Sequence, residues 1–345
     1  MANAKQPNQF QSTVNKITLK DIAMDTGLSV STVSRVLRGE GRSSSQNEQV
    51  IIESAQKLGY PLQKQQTPFE LRIEIYIAVI TNVKEGEFYT AFFNGFHQAS
   101  KNTNVHFCLF SIDNMDTPIH DFLFGLQKHF DAAIIFLPTL TSDDYKRILS
   151  KLNPGFPIIS TASILNPVLD TISFDGYGGG YLVAEHFFNK NYTDVGIIHG
   201  PNNKLESRFR SNGFTDFIKS HPEMNLTWEF NGDYSSQSGQ LAYLAFKKCN
   251  KKPKAIFCAN DSMLFGFMEL ARVDGIKIPS DLALVGYDNL PICQTYSPQI
   301  TTIHTDYTTL GIHAMRLLLN RIENYIDHQG FLSLIPVSLI IRQSS

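Results

Sequence analysis

Three short segments near the start of the chain place apolar residues at helical spacing. The first begins at Thr18, with Asp21 three residues later as in a capping box, and ends at Gly27. Ser29 is a good N-cap for the second segment, and the third ends at Gly59. The pattern predicts a small three-helix domain over residues 17–60. Its expected inward side chains are Leu19, Ile22 and Ala23, then Val33, Val36 and Leu37, then Val50, Ile51, Ser54, Ala55 and Leu58.

Polar segments flank this domain on both sides. Residues 1–16 are rich in Asn and Gln and lack any periodicity, which predicts a disordered leader. Residues 61–70 contain two prolines and a glutamine-rich stretch with almost no apolar spacing, as linkers do. A domain boundary is therefore expected between residues 60 and 71.

Beyond the linker, apolar strand-like runs alternate with helix-like stretches, which predicts parallel α/β structure. Because residues 71–345 are too many for one comfortable sheet, we expect two α/β lobes facing a cleft, with ligands at the carboxyl ends of the strands. One lobe is expected over about 71–171 and 304–332, and the other over about 172–303 and 333–345. The strand-like runs are Ile73–Ile80, Val105–Phe110, Ala132–Leu137, Pro157–Thr161, Val195–His199, Ala255–Ala259 and Leu282–Gly286.

The charge of the chain is nearly balanced, so any nucleic-acid surface has to be local. The formal net charge is −2. Residues 1–64 hold eight Lys and Arg against five Asp and Glu, which leaves this part at +3 and the remainder at −5. The asymmetry is modest, but it has the direction of a basic head on an acidic body.

The cysteines and the N-terminus bear on the compartment. The four cysteines, Cys108, Cys249, Cys258 and Cys293, have neither CxxC nor Cys/His spacing, which argues against a zinc site and a disulfide framework. The N-terminal residues lack the apolar region of a signal peptide, and no apolar run approaches the length that crosses a bilayer. We therefore expect a cytoplasmic protein that is neither exported nor bound to a membrane.

A helix, a tight turn at Gly27 and a second helix form the helix-turn-helix pattern that fits the major groove of DNA. On the outward side of the second helix, Arg35 can donate a bidentate pair to guanine, Ser31 can bond a base edge and Val30 can touch a thymine methyl. Spacing alone leaves open an ordinary three-helix bundle in which Arg35 is a solvated surface residue. The hydroxyl groups suited to contact phosphate are those of Thr18, Ser29 and Ser34.

Residues suited to bind a polyhydroxyl ligand follow the strand-like runs. An aromatic ring can stack on the apolar face of a sugar while Arg, Asn and Asp side chains bond its hydroxyls. The alternative for each residue is structural: Asp261 caps a helix, Asp288 caps a turn, and the arginines pair with surface acids. The residues concerned are Arg208 and Arg210 in one helix, Tyr234 before another, and Asn260, Asp261, Asp288 and Asn289 after apolar strands.

Two other protein classes fit part of this pattern. A solute-binding protein of a transporter shares the two-lobed fold, but it needs a secretion signal and has no DNA-binding headpiece. A sugar-transforming enzyme needs a phosphate loop, a metal cluster or a catalytic acid and base. The glycine run at residues 176–180 fits neither of the phosphate-loop patterns GxGxxG and GxxxxGK(S/T). His199, His304 and His313 are isolated from one another in the sequence. We expect no catalytic residue, no metal and no cofactor.

Residues 17–63 closely resemble the DNA-binding headpiece of the lactose-repressor (LacI/GalR) family, through the TLKDIA, GLSVSTVSRVL and LGY blocks. The resemblance implies that Val30, Ser31 and Arg35 occupy base-reading positions. It also implies that Thr18, Ser29, Thr32 and Ser34 orient the headpiece on phosphates. In the family, a hinge segment written PNxxAxxL inserts a Leu into the minor groove; residues 60–68 depart from it, and Leu62 is the only apolar candidate.

The resemblance extends over the rest of the chain, to an effector domain of the type I periplasmic-binding-protein kind, through segments such as VGIIHGP, ESRFRSNGF, FCANDSMLFGFM and IPSDLALVGYDNLP. Family members commonly carry an acidic residue where this chain has Ala162 and Ser163, so one hydroxyl contact is missing. The resemblance implies the following effector contacts: Arg210, Asn260 and Asp288 to sugar hydroxyls, Tyr234 and Tyr307 as aromatic walls, and Phe88 and Tyr89 from the loop after the first strand.

The function that follows is regulation of transcription. We expect a sequence-specific DNA-binding regulator, most simply a repressor of carbohydrate-utilisation genes, whose DNA affinity is controlled by a small sugar bound between the lobes. The expected partners are pseudo-palindromic double-stranded operator DNA, the sugar and a second copy of the chain. A dimer is expected because the chain lacks the C-terminal leucine-heptad helix of the family's tetramers.

Overall fold

The structure is a computed structural model that describes residues 17–37, 45–58, 60, 74–82, 88–101, 103–112, 118–324 and 330–345. The chain divides into two compact units, Met1–Ile73 and Glu74–Ser345. The expected leader over residues 1–16 and the expected linker over residues 61–70, including Leu62, lie outside the described residues. Within the described ranges, no helix is both long and apolar enough to cross a membrane.

The first unit contains the expected helices, α1 (Leu19–Thr26), α2 (Val30–Leu37) and α3 (Ser45–Leu58). Their apolar faces meet in one core, in which Ile22, Val33 and Ile51 are completely buried. Gly27 ends α1 in the left-handed conformation, with φ +68°, which a residue without Cβ adopts freely. The carboxylate of Asp25 accepts hydrogen bonds from Ser54 Oγ at 2.7 Å and Lys57 Nζ at 2.9 Å, which ties α1 to α3.

One residue of the expected core faces outward. Val50 is 42% exposed, whereas Ile52, which was not expected inside, is 2% exposed. Ile51 and Ala55 lie at the centre of the buried face of α3. Each residue along an α-helix is rotated by about 100° from the one before it. That rotation brings Ile52 to the core, because it lies three residues before Ala55, and carries Val50 to the opposite edge.

The second unit begins as an α/β lobe. Its first elements are β1 (Ile75–Thr81), α4 (Phe88–Ser100), β2 (Val105–Ser111), α5 (Ile119–Leu126), β3 (Ala132–Phe136), α6 (Ser142–Lys151), β4 (Ile158–Ser160) and β5 (Thr171–Phe174). The second lobe follows with α7 (Gly176–Asn189), β6 (Asp194–His199), α8 (Leu205–Ser220), β7 (Asn225–Asn231), α9 (Ser236–Lys247), β8 (Ala255–Cys258), α10 (Asp261–Val273), β9 (Ala283–Asp288), α11 (Ile292–Thr295) and β10 (Thr301–His304).

The chain then returns to each lobe in turn, through α12 (Tyr307–Glu323), β11 (Leu332–Ile335) and β12 (Ser338–Ile340). The helix α12 packs on α4 of the first lobe. The strand orders are β11-β5-β4-β3-β1-β2 in the first sheet and β12-β10-β9-β8-β6-β7 in the second. Pairing is parallel throughout, except that β12 runs antiparallel to β10.

The structure confirms the predicted α/β class with two parallel sheets after an N-terminal helical domain. Strands that pattern alone did not identify are β5, β7, β10, β11 and β12. They are short or partly exposed, so they lack a continuous apolar run. In the first sheet β5 continues to Phe174 and β11 to Ile335, so the chain leaves this sheet a few residues after the lobe divisions expected at 171 and 332.

Glycines set the distance between the helices that cover the sheets. A Cβ at Gly180 would overlap the carbonyl oxygen of Arg210, and a Cβ at Gly213 would overlap that of Tyr177, so α7 and α8 touch backbone to backbone. Within the glycine run at residues 176–180, which has no phosphate-loop spacing, Gly180 therefore serves helix packing, whereas Gly179 makes room for the Tyr287 ring. The equivalent pairs are Gly239 with Gly266 between α9 and α10, and Gly95 with Gly311 between α4 and α12.

This packing predicts a large penalty for one added methyl group. We expect Gly213→Ala to lower the free energy of unfolding by about 1–3 kcal/mol, because the helices have to separate to admit the Cβ. Gly125→Ala is the matched control: a Cβ there meets open space, so the change is expected to be neutral or to stabilise by up to about 1 kcal/mol. Urea unfolding followed by circular dichroism measures both; equal effects of the two changes would contradict the packing role.

Candidate functional site

The first unit presents a polar surface on the outer side of α2. Val30 is 41% exposed, and Ser31 and Arg35, one helical turn apart, are both exposed. The Arg35 side chain lies back along the helix, with Nε donating to the Ser31 carbonyl at 3.4 Å. The three residues predicted to read bases therefore share one accessible surface, above a core that is completely apolar on the other side of the helix.

The predicted phosphate contacts surround the helix starts. The Ser29 hydroxyl accepts a hydrogen bond from the backbone N–H of Thr32 at 3.1 Å, which caps α2, and it also lies 2.9 Å from the Ser31 hydroxyl. Thr18 donates through its N–H and hydroxyl to Asp21, at 2.7 Å each. Thr32 and Ser34 are half-buried. Their contact with DNA stays a prediction, as does the role of Leu62, which lies outside the described residues.

In the second unit, the predicted effector residues lie after the carboxyl ends of strands from both lobes. Phe88 and Tyr307 begin α4 and α12, which pack against each other and against the first sheet. In the second lobe Arg210 lies in α8, after β6, and Asp288 is the last residue of β9. Tyr234 lies between β7 and α9. This is the edge at which parallel α/β sheets bind ligands.

The centre of the cluster is the buried side chain of Arg210, which is 7% exposed. Its Nη1 donates to the carbonyl oxygen of Ala259 at 2.6 Å, and its Nη2 lies 3.3 Å from Asp288 Oδ1. The guanidinium lies 3.8 Å from the centre of the Tyr287 ring and 5.6 Å from that of Tyr234. Arg210 therefore pairs with a buried acid and two rings, rather than with a surface acid as the structural alternative proposed.

Aromatic rings from the first lobe close the other side. The Phe88 ring stacks on the Tyr307 ring with centroids 4.6 Å apart, and on the Tyr89 ring at 4.2 Å. Phe174 meets Tyr307 edge to face at 5.0 Å. The Tyr89 hydroxyl donates to the carbonyl oxygen of Asn82, directly after β1, at 2.7 Å, so Tyr89 is fixed beside the Phe88 ring on which it stacks.

Backbone conformations at the cleft are strained. Tyr234 has φ 75° and Asp288 has φ 110°, in the left-handed region that side chains with a Cβ rarely adopt. Asn260 holds one of these positions, because its Nδ2 donates to the Tyr234 carbonyl at 3.0 Å while its Oδ1 caps α10 by accepting from Met263 N at 3.0 Å. Asn260 thus has internal partners for both polar groups, and its role as a sugar ligand stays a prediction.

The neighbouring Asp261 is a structural residue. It is completely buried, and its carboxylate accepts hydrogen bonds from Leu290 N at 2.9 Å, Thr302 Oγ1 at 2.8 Å and Cys293 Sγ at 3.2 Å. Burial raises the pKa of Asp261 to about 6. The helix cap that the structural alternative assigned to Asp261 is made by Asn260 instead, because the N-cap residue precedes the first helical residue.

Several buried polar atoms in the cleft have no hydrogen-bond partner among the described residues. Burying such a group without a partner costs on the order of 1–3 kcal/mol, so a set of them at one place indicates a site that a ligand completes. Glu206 and Tyr287 were not among the residues predicted from the sequence. Glu206 could have been found from its position four residues before Arg210, because residues four apart lie on the same face of a helix. The unpartnered atoms are Asn82 Oδ1, Glu206 Oε2, Arg210 Nε, Tyr234 OH, Tyr287 OH and Asp288 Oδ1.

Burial controls the ionisation of this cluster. It raises the pKa of Asp288 to about 7, because desolvation and the nearby Asp261 and Glu206 carboxylates outweigh Arg210. Burial also raises the pKa of Glu206. For Arg210 burial acts to lower the pKa, but Tyr234 and Asp288 hold it well above its usual value, so the guanidinium stays charged.

A cavity of about 450 Å³ is lined by residues of both lobes, and none of the predicted effector residues is among them. Leu205, Asn203 and Arg208 line it from the second lobe, and residues 138–143 and 163–168 line most of the rest. Ala162 and Ser163 stand where the family resemblance led us to expect an acidic residue. Ser163 is buried, and its hydroxyl lies 2.8 Å from that of Ser173. Among the described residues no group of three or more His, Cys, Asp or Glu side chains is placed to hold a metal ion.

Two families match this chain. Residues 18–61 match the bacterial regulatory proteins of the lacI family, and residues 184–345 match the periplasmic binding protein-like domain. A curated relative, the HTH-type transcriptional repressor PurR of Mannheimia succiniciproducens, is 24% identical over 328 residues, which cover 95% of this chain and 98% of the relative.

Solved structures share the fold over nearly the whole chain. The lac repressor dimer bound to operator and the anti-inducer ONPF superposes with a TM-score of 0.70 at 21% identity, over 96% of this chain and 99% of the other. The transcriptional regulator CelR–cellobiose complex has a TM-score of 0.68 at 22% identity, over 95% of this chain and 100% of the other. At these identities the likeness shows a common fold.

The raised pKa of Asp288 predicts a pH-dependent stability. A carboxyl with a folded pKa above its unfolded value of 3.8 stabilises the fold below that value, and the contribution is lost as the pH rises towards about 7. We therefore expect the free energy of unfolding of Asp288→Asn to vary less between pH 5 and about 8 than that of the unaltered protein, as urea unfolding would measure.

Asp143→Asn is the control for this measurement. Hydrogen bonding to Lys146 lowers the pKa of the exposed Asp143, so its linkage acts below pH 3.8 and leaves the range above pH 5 unchanged. If Asp288→Asn has the same pH dependence as the unaltered protein, Asp288 is already ionised in the fold.

Proposed function

We propose that this chain, which joins a lacI-family DNA-binding domain to a periplasmic-binding-protein-like domain, is a transcriptional regulator that represses genes of carbohydrate use in response to a small sugar. The sugar binds in the cleft between the lobes of the second unit and changes the affinity of the first unit for operator DNA. The matched family consists of regulators, and catalysis forms no part of the proposal.

The exposed outer surface of α2 is the observation that carries the DNA-binding role. Ser31 and Arg35 lie one turn apart and Val30 is exposed beside them, so one helix in a major groove brings all three to base edges. Arg35 donates to guanine O6 and N7, Ser31 bonds a base edge, and Val30 contacts a thymine methyl. The hydroxyls that orient the domain on phosphates are those of Thr18, Ser29, Thr32 and Ser34.

The cluster around Arg210 supports a sugar effector. Arg210 and Asp288 supply donors and acceptors for neighbouring hydroxyls, and the rings of Tyr234, Tyr307 and Phe88 supply apolar surfaces for a pyranose face. A solved structure of the same fold is a complex with cellobiose. A purine base is the second candidate effector, because curated relatives carry the purine-related name PurR and stacked rings also suit a planar base.

The assembly that we propose is a homodimer in the cytoplasm. Two copies place two recognition helices in successive major grooves of a pseudo-palindromic operator, as a solved dimer of this fold bound to operator supports. Closure of the lobes around the sugar alters the spacing of the two DNA-binding units. By linkage, operator DNA changes the affinity for the sugar by the same factor.

Titration of a fluorescent operator tests the whole proposal. The DNA is a pseudo-palindromic site from upstream of the gene for this protein, at fixed salt, with and without monosaccharides, disaccharides and purine bases. We expect one sugar to shift the dissociation constant at least tenfold, or about 1.4 kcal/mol, and the shift to vanish in Arg210→Ala while DNA affinity without sugar is unchanged. Absence of specific DNA binding under every condition rejects the regulator; a response to purines alone rejects the sugar.

Arg35→Ala tests base recognition separately. We expect the change to cost about 1–3 kcal/mol on operator, because the bidentate pair to guanine is lost, while effector binding is unchanged. Competition with random duplex of equal length is the control. An equal loss on operator and random DNA would mean that Arg35 contacts phosphate rather than a base.

A further inference from the structure

Glu206 stands out in the cleft because the sugar proposal leaves it unused. It lies in the first turn of α8, and its Oε2 atom is buried without a hydrogen-bond partner among the described residues. Arg210 follows four residues later on the same helix, where an ion pair would form readily, yet Arg210 Nε is also unpartnered. The two side chains therefore make no hydrogen bond to each other through these two atoms.

Both terminal nitrogens of the Arg210 guanidinium contact groups other than Glu206. Its Nη1 donates to the Ala259 carbonyl at 2.6 Å, and its Nη2 lies 3.3 Å from Asp288. The nearest other cation, Lys204 Nζ, lies over the Tyr234 ring at 5.2 Å from its centre. Both cations act on Glu206, but burial prevails and its pKa is raised. Among the described residues, Glu206 Oε2 thus has no hydrogen-bond partner, although two cations lie near enough to act on its charge.

Two carboxylate oxygens of the cluster lack a hydrogen bond among the described residues, and of these Asp288 Oδ1 has an ion-pair contact with Arg210 Nη2 at 3.3 Å. Glu206 Oε2 and Asp288 Oδ1 are acceptor atoms, whereas Arg210 Nε is the unpartnered group that can only donate. Burial raises the pKa of the Tyr307 hydroxyl, and the Asp288 and Glu206 carboxylates act in the same direction. A ligand that completes the site has to bring more donors than acceptors to this end of the cleft.

We propose that the effector carries a protonated amine that binds Glu206, so that the cleft selects an amino sugar over the neutral sugar of the same shape. The inference rests on the proposed sugar site. An ammonium group brings three donors, no acceptor and a positive charge. A hydroxyl brings no charge, and charge-assisted hydrogen bonds are roughly twice as strong as neutral ones in a buried site. Glu206 is thereby a specificity-determining residue.

Proton release is a second consequence of this arrangement. Burial favours the protonated form of Glu206 in the cleft without ligand, and a bound ammonium favours the carboxylate. Binding of an amine therefore shifts Glu206 towards the carboxylate and releases protons in proportion to its protonated fraction, whereas binding of an uncharged sugar brings no charge that would cause this shift. The number of protons released is measured by calorimetry in two buffers that differ in ionisation enthalpy.

The experiment compares matched sets of sugars on the full-length protein. Each set contains the neutral sugar, the 2-amino sugar and the N-acetyl derivative, with glucose, galactose and mannose as the parents. We expect the amine of one set to bind at least tenfold more tightly than its two partners and to release protons. In Glu206→Gln, which keeps size and hydrogen bonding but removes the charge, the preference falls below twofold and the release disappears. Glu223→Gln, at an exposed position, is the control and keeps both.

The outcomes separate this inference from the proposed function. Equal or tighter binding of a neutral or N-acetyl sugar overturns it, and so does a preference that survives in Glu206→Gln. If no amine binds to a protein that still recognises its operator, the inference fails and the regulator stands. If an amine binds through Glu206 but operator recognition is absent, the regulator fails and the selectivity stands. The urea midpoint of Glu206→Gln confirms that the variant is folded.

Discussion

The buried guanidinium of Arg210 is the interaction on which the cleft depends. It links three elements at one point, since Arg210 lies in α8, Ala259 follows β8 and Asp288 ends β9. A charge this deeply buried is tolerated only when it is paired and hydrogen-bonded. Here the pairing is incomplete, because Arg210 Nε and Asp288 Oδ1 lack hydrogen-bond partners among the described residues. The fold therefore carries a polar centre that is stable enough to form and that a ligand improves.

The strained and buried polar groups around Arg210 destabilise the fold, and the surrounding helices and sheets compensate for this. Tyr234 and Asp288 hold positive φ values, and Asn260 fixes the Tyr234 carbonyl while it caps α10. Backbone contacts through glycine pairs such as Gly180 and Gly213 keep the helices of the lobe close and rigid. Strain and unpaired polar atoms persist at the cleft because the parallel sheets and their tightly packed helices stabilise the rest of the unit.

The two proposed binding sites are built in opposite ways. In the first, the core of α1, α2 and α3 is apolar, and the chemistry of Ser31 and Arg35 lies on one exposed helix surface. In the second, the chemistry is buried and comes from several strand ends. A surface on one helix follows from local periodicity, whereas a buried site depends on the order in which strands are placed in a sheet.

The sequence by itself determined the helix-turn-helix unit, the α/β class, and the residue types at the strand ends, because helical spacing and apolar runs are local properties. It erred at Val50, where one position along the helix decides between core and solvent. Only the tertiary structure decided that Glu206 Oε2 lacks a hydrogen-bond partner among the described residues, that Arg210 pairs with Asp288, and that Asn260 supports Tyr234. These facts depend on distances between residues far apart in the chain, which no local pattern records.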